Sequence, residues 1–393
     1  MYHFSAPMPY STYDIQKLLD INNQAEKSKI TSLYFSLPSS CNLFTGFEQY
    51  RNIELEYSDW NYWKNLISYS IERNLDFIYL LNNPTRLTVE TVNFSKQLEK
   101  LDNLLNELRK LGVNKLRIAN HKLLSYLNKY YSDFQLYAST SFEFKILSEY
   151  QNFIFVHPYI KQIVPSHDTI KNFKLLKNLR RILLNTDIEL MVNEGCLNGC
   201  PVRYAHASDS LDIRCINTKN NQEKTISNYY YTKFFCTNYE NQNSIHVLNK
   251  INNIYPWEIE EYAKIGITKF KLAGRDGYEH FEKYIKYYTL YFKGIDNTKN
   301  IQDSMLIDFI HHLHGNKNLQ HLTVKDYKKY LPNIKHFKKY GHLCASRCAV
   351  ECRYCYNCAE KIQKVFKKKQ QEQMKRTVPF CKKLNTNLET VKN

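Results

Sequence analysis

No run of eighteen or more apolar residues occurs in this chain, and its opening MYHFSAPMPY has no charged segment leading into an apolar one. Neither a membrane span nor a secretory signal is expected, and the reading is a protein that stays in the cytoplasm. The chain also lacks a GxSxG turn, a phosphate-cradling glycine-rich loop and an HExxH pair, so serine hydrolases, nucleotidases and zincins have no support. Nor is there the even, dispersed cysteine set of a disulfide framework. The 11 Cys are odd in number and gathered locally, as ligands kept reduced would be.

What the chain does have is length and apolar material. Its 393 residues, 43% of them hydrophobic, can bury one large barrel with an appendage or two domains. The formal charge of +17 invites a nucleic-acid reading, because Lys and Arg gain from releasing counterions around phosphates. Its distribution tempers that reading: from Lys361 onward ten Lys and Arg face two Asp and Glu, so nearly half the excess lies in a short tail. Abundant Lys, Asn, Ile and Tyr also fit a genome of biased base composition, which raises basic and aromatic counts without selection for RNA.

Short apolar runs alternate with longer amphipathic stretches, the pattern of parallel strands joined by crossover helices. Strands are expected at 31–37, 76–82, 115–119, 134–139, 162–165, 187–193 and 268–273, with helices at 62–72, 94–111 and 257–265. Pro256 stands where a proline starts a helix, ahead of an acidic first turn. The fold class expected is α/β, a TIM-like (β/α) barrel, complete or irregular, over residues 1–300, with an insertion at about 207–250. A helical, Cys-rich metal-binding appendage over 301–360 and a basic, partly disordered tail over 361–393 complete the expected organisation. A barrel of this kind does its chemistry in the loops after its strands, where Asn82, Asn83, Asn120, His121, Ser139 to Ser141 and Glu194 lie. For each Asn or Ser, a turn or helix cap is the ordinary alternative.

Two cysteine groups carry the chemistry. Cys196 and Cys200 follow a buried strand directly, with Cys215 and Cys236 at wider spacing; four such thiolates suit a cubane iron–sulfur cluster or a zinc ion. Cys344, Cys348, Cys352, Cys355 and Cys358 form the second group, one thiol more than a four-ligand shell needs, and zinc and a second iron–sulfur cluster are both open there. Cys348, Cys352 and Cys355 match the CxxxCxxC triad of radical S-adenosylmethionine enzymes, but such enzymes place it before most of the barrel, and only 35 residues follow Cys358. His311, His312 and His314, one turn beyond Asp308, lack the i, i+4 spacing of a metal-binding helix face and read as a solvated helix end.

Six segments in order, ITSLYFSLPSS, LDFIYLLNN, LGVNKLRIANHKLL, FQLYASTSFEF, ELMVNEGCLNGCPVRYAH and PWEIEEYAKIGITKFKLAGRDG, resemble the peptidase U32 family. The resemblance implies a barrel core and a four-iron, four-sulfur cluster on Cys196, Cys200, Cys215 and Cys236, with Cys41 as another fourth ligand. It also implies oxygen-independent hydroxylation of RNA bases or a quinone precursor, with prephenate as oxygen source. The chain departs from the family in carrying the five-cysteine segment where a β-rich domain is usual, and in lacking an Arg within HPYIKQIVPSH. Around such a cluster Arg203, Lys271 and Arg275 are candidates for holding an anionic carboxylate, and Glu194 and His206 for moving a proton. The leading expectation is an iron–sulfur enzyme acting on RNA or a small aromatic or peptide substrate, with a partner subunit open. The alternatives are a metal-dependent peptidase and a non-catalytic zinc and RNA-binding subunit that uses the basic tail.

Overall fold

The computed structural model describes residues 1–38, 41–45, 47–48, 59–83, 94–193, 253–273, 278–290, 329–330, 333–343, 352–355, 357–358, 360–365, 367–369 and 371–372. Eight strands, β1 Tyr2–Pro7, β2 Ser28–Phe35, β3 Asp76–Leu81, β4 Lys115–Ile118, β5 Gln135–Ala138, β6 Gln162–Ile163, β7 Asp187–Met191 and β8 Lys269–Lys271, run in sequence order around a closed barrel. Each pairs with its neighbours in parallel, and β8 closes on β1 through His3, Phe4 and Ser5. Between them lie α1 Thr12–Gln24, α2 Trp60–Ile71, α3 Phe94–Lys110, α4 His121–Tyr130, α5 Leu147–Val156, α6 Phe173–Ile182 and α7 Ile259–Ala263. Among the described residues, α8 Tyr278–Leu290, α9 Ile334–Tyr340 and helical residues from Tyr354 onward follow β8.

The two-residue alternation of the strands divides the side chains into two sets. On β3, Phe77, Tyr79 and Leu81 join the large core beneath the helices, whereas Ile78 and Leu80 join Tyr34 and Tyr137 in a small separate cluster on the barrel axis. The helices supply the matching faces. Leu101, Leu104, Leu105 and Leu108 of α3 recur at three- and four-residue spacing and are wholly buried, each contributing about 1.5–3 kcal/mol of apolar burial. Helix starts are set by short polar side chains: Ser11, Asp59, Asn120, Asn172 and Asn333 each accept a first-turn backbone N–H of α1, α2, α4, α6 and α9.

The axis itself is polar. Arg117 donates to Glu189 at 2.6 Å with both side chains almost fully buried, yet its Nε and Nη1 meet no acceptor, and neither do Ser5 Oγ and Gln162 Nε2. At the N-terminal mouth, Asp76–Lys115 and Asp187–Lys269 pair at 2.5 Å around a cavity of about 430 Å³ that His3, Ser5 and Gln162 help to line. Buried polar groups of this kind are those that internal water serves.

The barrel is the expected fold, with one strand more than the sequence suggests. Tyr2–Pro7 is β1, so the run expected as the first strand at 31–37 is β2, observed at Ser28–Phe35. The remaining strand and helix expectations lie within a few residues of the observed elements, and Pro256 does open the turn that leads into α7. No helix among the described residues is long and apolar enough to cross a membrane.

The carboxyl-terminal segment docks on the barrel. Phe337 of α9 is buried under the Lys171 ammonium, 4.6 Å from the ring centroid, and Ile362 enters the main core. The fit is closest at Gly341: a Cβ there would stand 1.9 Å from the Lys171 carbonyl oxygen.

Candidate active site

The C-terminal mouth is built from the residues that follow each strand. β7 ends at Met191 and continues through Val192 and Asn193, the last described residues before the Cys196 segment. The Asn193 side chain donates to the Ala273 carbonyl at 2.8 Å and accepts the Ala273 N–H at 2.6 Å, which fastens the end of β7 to the end of β8. The chain returns beside the same point, where Ile254 N donates to Val192 O at 2.9 Å. Tyr288 of α8 secures this junction by donating to Ile254 O at 2.8 Å. Asn193 and Ile254, which flank residues 194–252, therefore both stand at the C-terminal end of β7, and Ala273, two residues before Arg275, lies next to them at the end of β8.

Lys271 of β8 is the one residue of the expected catalytic set within the described residues. It is buried, its Nζ lies 4.1 Å from the Tyr34 ring centroid on the barrel axis, and Tyr34 in turn donates to Leu272 O at 2.5 Å. A cation held over an aromatic face is stabilised by the ring quadrupole. Glu194, Arg203, His206 and Arg275, and the ligand candidates Cys196, Cys200, Cys215 and Cys236, lie outside the described residues, as does the stretch from His311 to His314. Cys41, the other candidate for fourth ligand, is among the described residues. It is buried in the main hydrophobic core after β2, and burial pushes its thiol up from the ordinary range.

Other strand-end residues make caps and packing contacts. Asn120 caps α4, and Ser139 caps the short turn after β5. His121 packs against Phe142 and Phe153 in the helical layer, and its Nδ1 is 3.0 Å from His157 Nε2. Burial, with His121 close by, pushes His157 down to about 4.

Buried carboxyls escaped the sequence reading because nothing in their neighbourhood marks them, Glu48 and Glu258 among them. Glu48 receives Tyr79 Oη at 2.6 Å and Thr45 Oγ1 at 2.7 Å, and burial pushes it up despite these bonds. Glu258, at the start of α7, is pushed up to about 7 by burial, while the Lys171 ammonium pulls the other way. Glu48 props the loop after β2, and Glu258 stands where the carboxyl-terminal segment docks.

Of the second cysteine group, Cys344 and Cys348 lie outside the described residues. Cys352 is half-buried with its Sγ 3.4 Å from Nε2 of His336, Cys355 packs against the core, and Cys358 is buried beside Tyr354. Among the described residues, no three metal-ligating side chains converge.

No protein-family model and no curated protein matches the sequence. Solved structures with a similar fold include "The Structure of the U32 Peptidase Mk0906", at 11% identity and a TM-score of 0.45, covering 70% of this chain and 94% of that one. CpGH84B, at 12% identity and a TM-score of 0.34, covers 94% of this chain and 73% of its own. Dispersin B, at 11% identity and a TM-score of 0.30, covers 80% and 100%. Likeness at this level is one of general architecture, and the barrel rests on its own strand pairing.

Proposed function

We propose that this chain is a barrel enzyme whose chemistry lies at the C-terminal mouth and depends on an iron–sulfur cluster held by Cys196, Cys200, Cys215 and Cys236. The reaction class we favour is oxygen-independent hydroxylation, or a related modification, of RNA or of a small aromatic or peptide substrate. The observation that carries this reading is the junction at Val192, Asn193, Ile254 and Ala273, which ties both ends of the cysteine-bearing segment to the end of β7 beside β8. Barrel enzymes act at this end of the sheet. The cavity at the opposite mouth is ringed by ion pairs that already neutralise one another, which leaves it little to offer a charged substrate.

A four-thiolate donor set fits a cubane cluster, which when bound would supply electron-transfer chemistry at the mouth. This chain's own part is to hold and orient. Lys271, Arg203 and Arg275 are the residues proposed to hold an anionic carboxylate, the two arginines gripping it in two bonds. Glu194, one residue beyond the Asn193 clamp, and His206 are proposed to hold and move the proton.

Purification without oxygen tests the reading. Protein with about four iron and four sulfide per chain and broad visible absorbance is expected, lost on Cys196→Ser or Cys200→Ser. Colourless protein without iron, prepared by the same route, would sink it. Comparison of modified nucleosides in cells with and without the gene then separates RNA from small-molecule substrates.

A further inference from the structure

We infer that His336 is a ligand of the metal bound by the carboxyl-terminal cysteines, and that the metal is zinc. The inference rests on reading that cysteine group as a metal site, and it is independent of the cluster proposed for the barrel mouth.

The geometry comes from two segments that are distant in sequence. His336 belongs to the first turn of α9, capped by Asn333, and Cys352 lies 16 residues later, just before a helix that has begun by Tyr354. Their donor atoms, Nε2 and Sγ, stand 3.4 Å apart. In a tetrahedral zinc site with Zn–N near 2.0 Å and Zn–S near 2.3 Å, the N···S edge is about 3.5 Å. The pair is thus already spaced as two corners of such a shell.

The imidazole is also held in place. Its ring stacks on Tyr354 with centroids 3.7 Å apart and planes 11° from parallel, and the Tyr354 hydroxyl accepts the Asn333 N–H at 2.9 Å. The same Tyr354 stands beside Cys358, which with Cys355 occupies the first turns of the helix. One aromatic ring therefore orients the histidine and adjoins a further thiol, the supporting role that outer groups play around metal ligands.

A nitrogen donor bears on the choice of metal. Clusters of four irons are ordinarily held by thiolates alone, whereas three thiolates and one imidazole form a common structural zinc shell. Zinc here would join α9 to the following helix at the place where both dock on the barrel, and its binding energy would become folding energy of the appendage.

Zinc K-edge X-ray absorption on the full-length protein, purified without oxygen, distinguishes the outcomes and is blind to iron elsewhere. One zinc per chain with a mixed sulfur and nitrogen shell and imidazole outer-shell scattering is expected. His336→Ala should remove the imidazole signal and weaken zinc retention against a chelator by at least about tenfold. Cys352→Ser should lower the sulfur count by one, and His342→Ala should leave the spectrum unchanged. Zinc retained by His336→Ala in an unaltered shell overturns His336 as a ligand and leaves the metal reading standing. Wild-type protein without zinc overturns the metal assignment itself, and a 3.4 Å contact would then be a thiol–imidazole hydrogen bond.

Discussion

A carboxyl taken out of water resists ionisation, and Glu258 shows what that does to stability. Its folded value of about 7 lies above the ordinary 4.5, so the folded state holds the proton more tightly than the unfolded chain does. The contribution is fully present below about pH 4.5, is lost as pH rises toward 7, and is flat above that, a span on the order of 3 kcal/mol. Glu258→Gln should flatten melting temperature between pH 5 and 8 relative to wild type; an unchanged slope would mean another group sets it. His157 acts in the opposite sense, because a histidine held down to about 4 loses stability as pH falls below its ordinary 6.5. Arg117 and Glu189 make a second test at this scale. Arg117→Met alone strands a buried carboxylate and should cost about 3–5 kcal/mol by urea unfolding. Replacing both by methionine should recover most of that loss, since the lone ion pair leaves two guanidinium nitrogens without acceptors.

Among the elements, those with two buried faces were legible and those with a polar face were not. β3 and β7 read as strands from LDFIYLLNN and IELMVN because nearly every position is buried. β1 did not, because His3 and Ser5 face a polar axis, Pro7 ends the strand and Pro9 follows, so the segment resembles a loop. His336 was illegible for a different reason. Its partner is set by how α9 folds back toward Cys352, and local spacing drew attention instead to His311, His312 and His314. Conversely, Cys196 and Cys200 could be placed after a strand from sequence alone, and the structure adds that the segment's two ends meet. The Asn193 clamp can be tested directly. Asn193→Ala removes both bonds to Ala273 and should destabilise by about 1–3 kcal/mol, with iron content falling if the loop positions the cluster.

At the scale of the molecule, the appendage meets the barrel most closely at Gly341. Gly341 is required there because the Lys171 carbonyl occupies the place of a side chain, although its backbone conformation is one any residue adopts. Gly341→Ala should push α9 off α6, so that limited proteolysis removes the carboxyl-terminal segment faster while the circular dichroism of the barrel persists.

Closure of the sheet carries a cost in time. β1 pairs with both β2 and β8, but the ribosome finishes Pro7 long before it reaches Lys269, and at ordinary elongation rates the interval is roughly 10 to 50 s. During that interval one edge of β1 has no partner, and the apolar outer faces of the early strands wait with it. Translation speed and access to holding chaperones should therefore govern the yield of this protein more than its final stability does, and slowing growth temperature during expression should raise the soluble fraction.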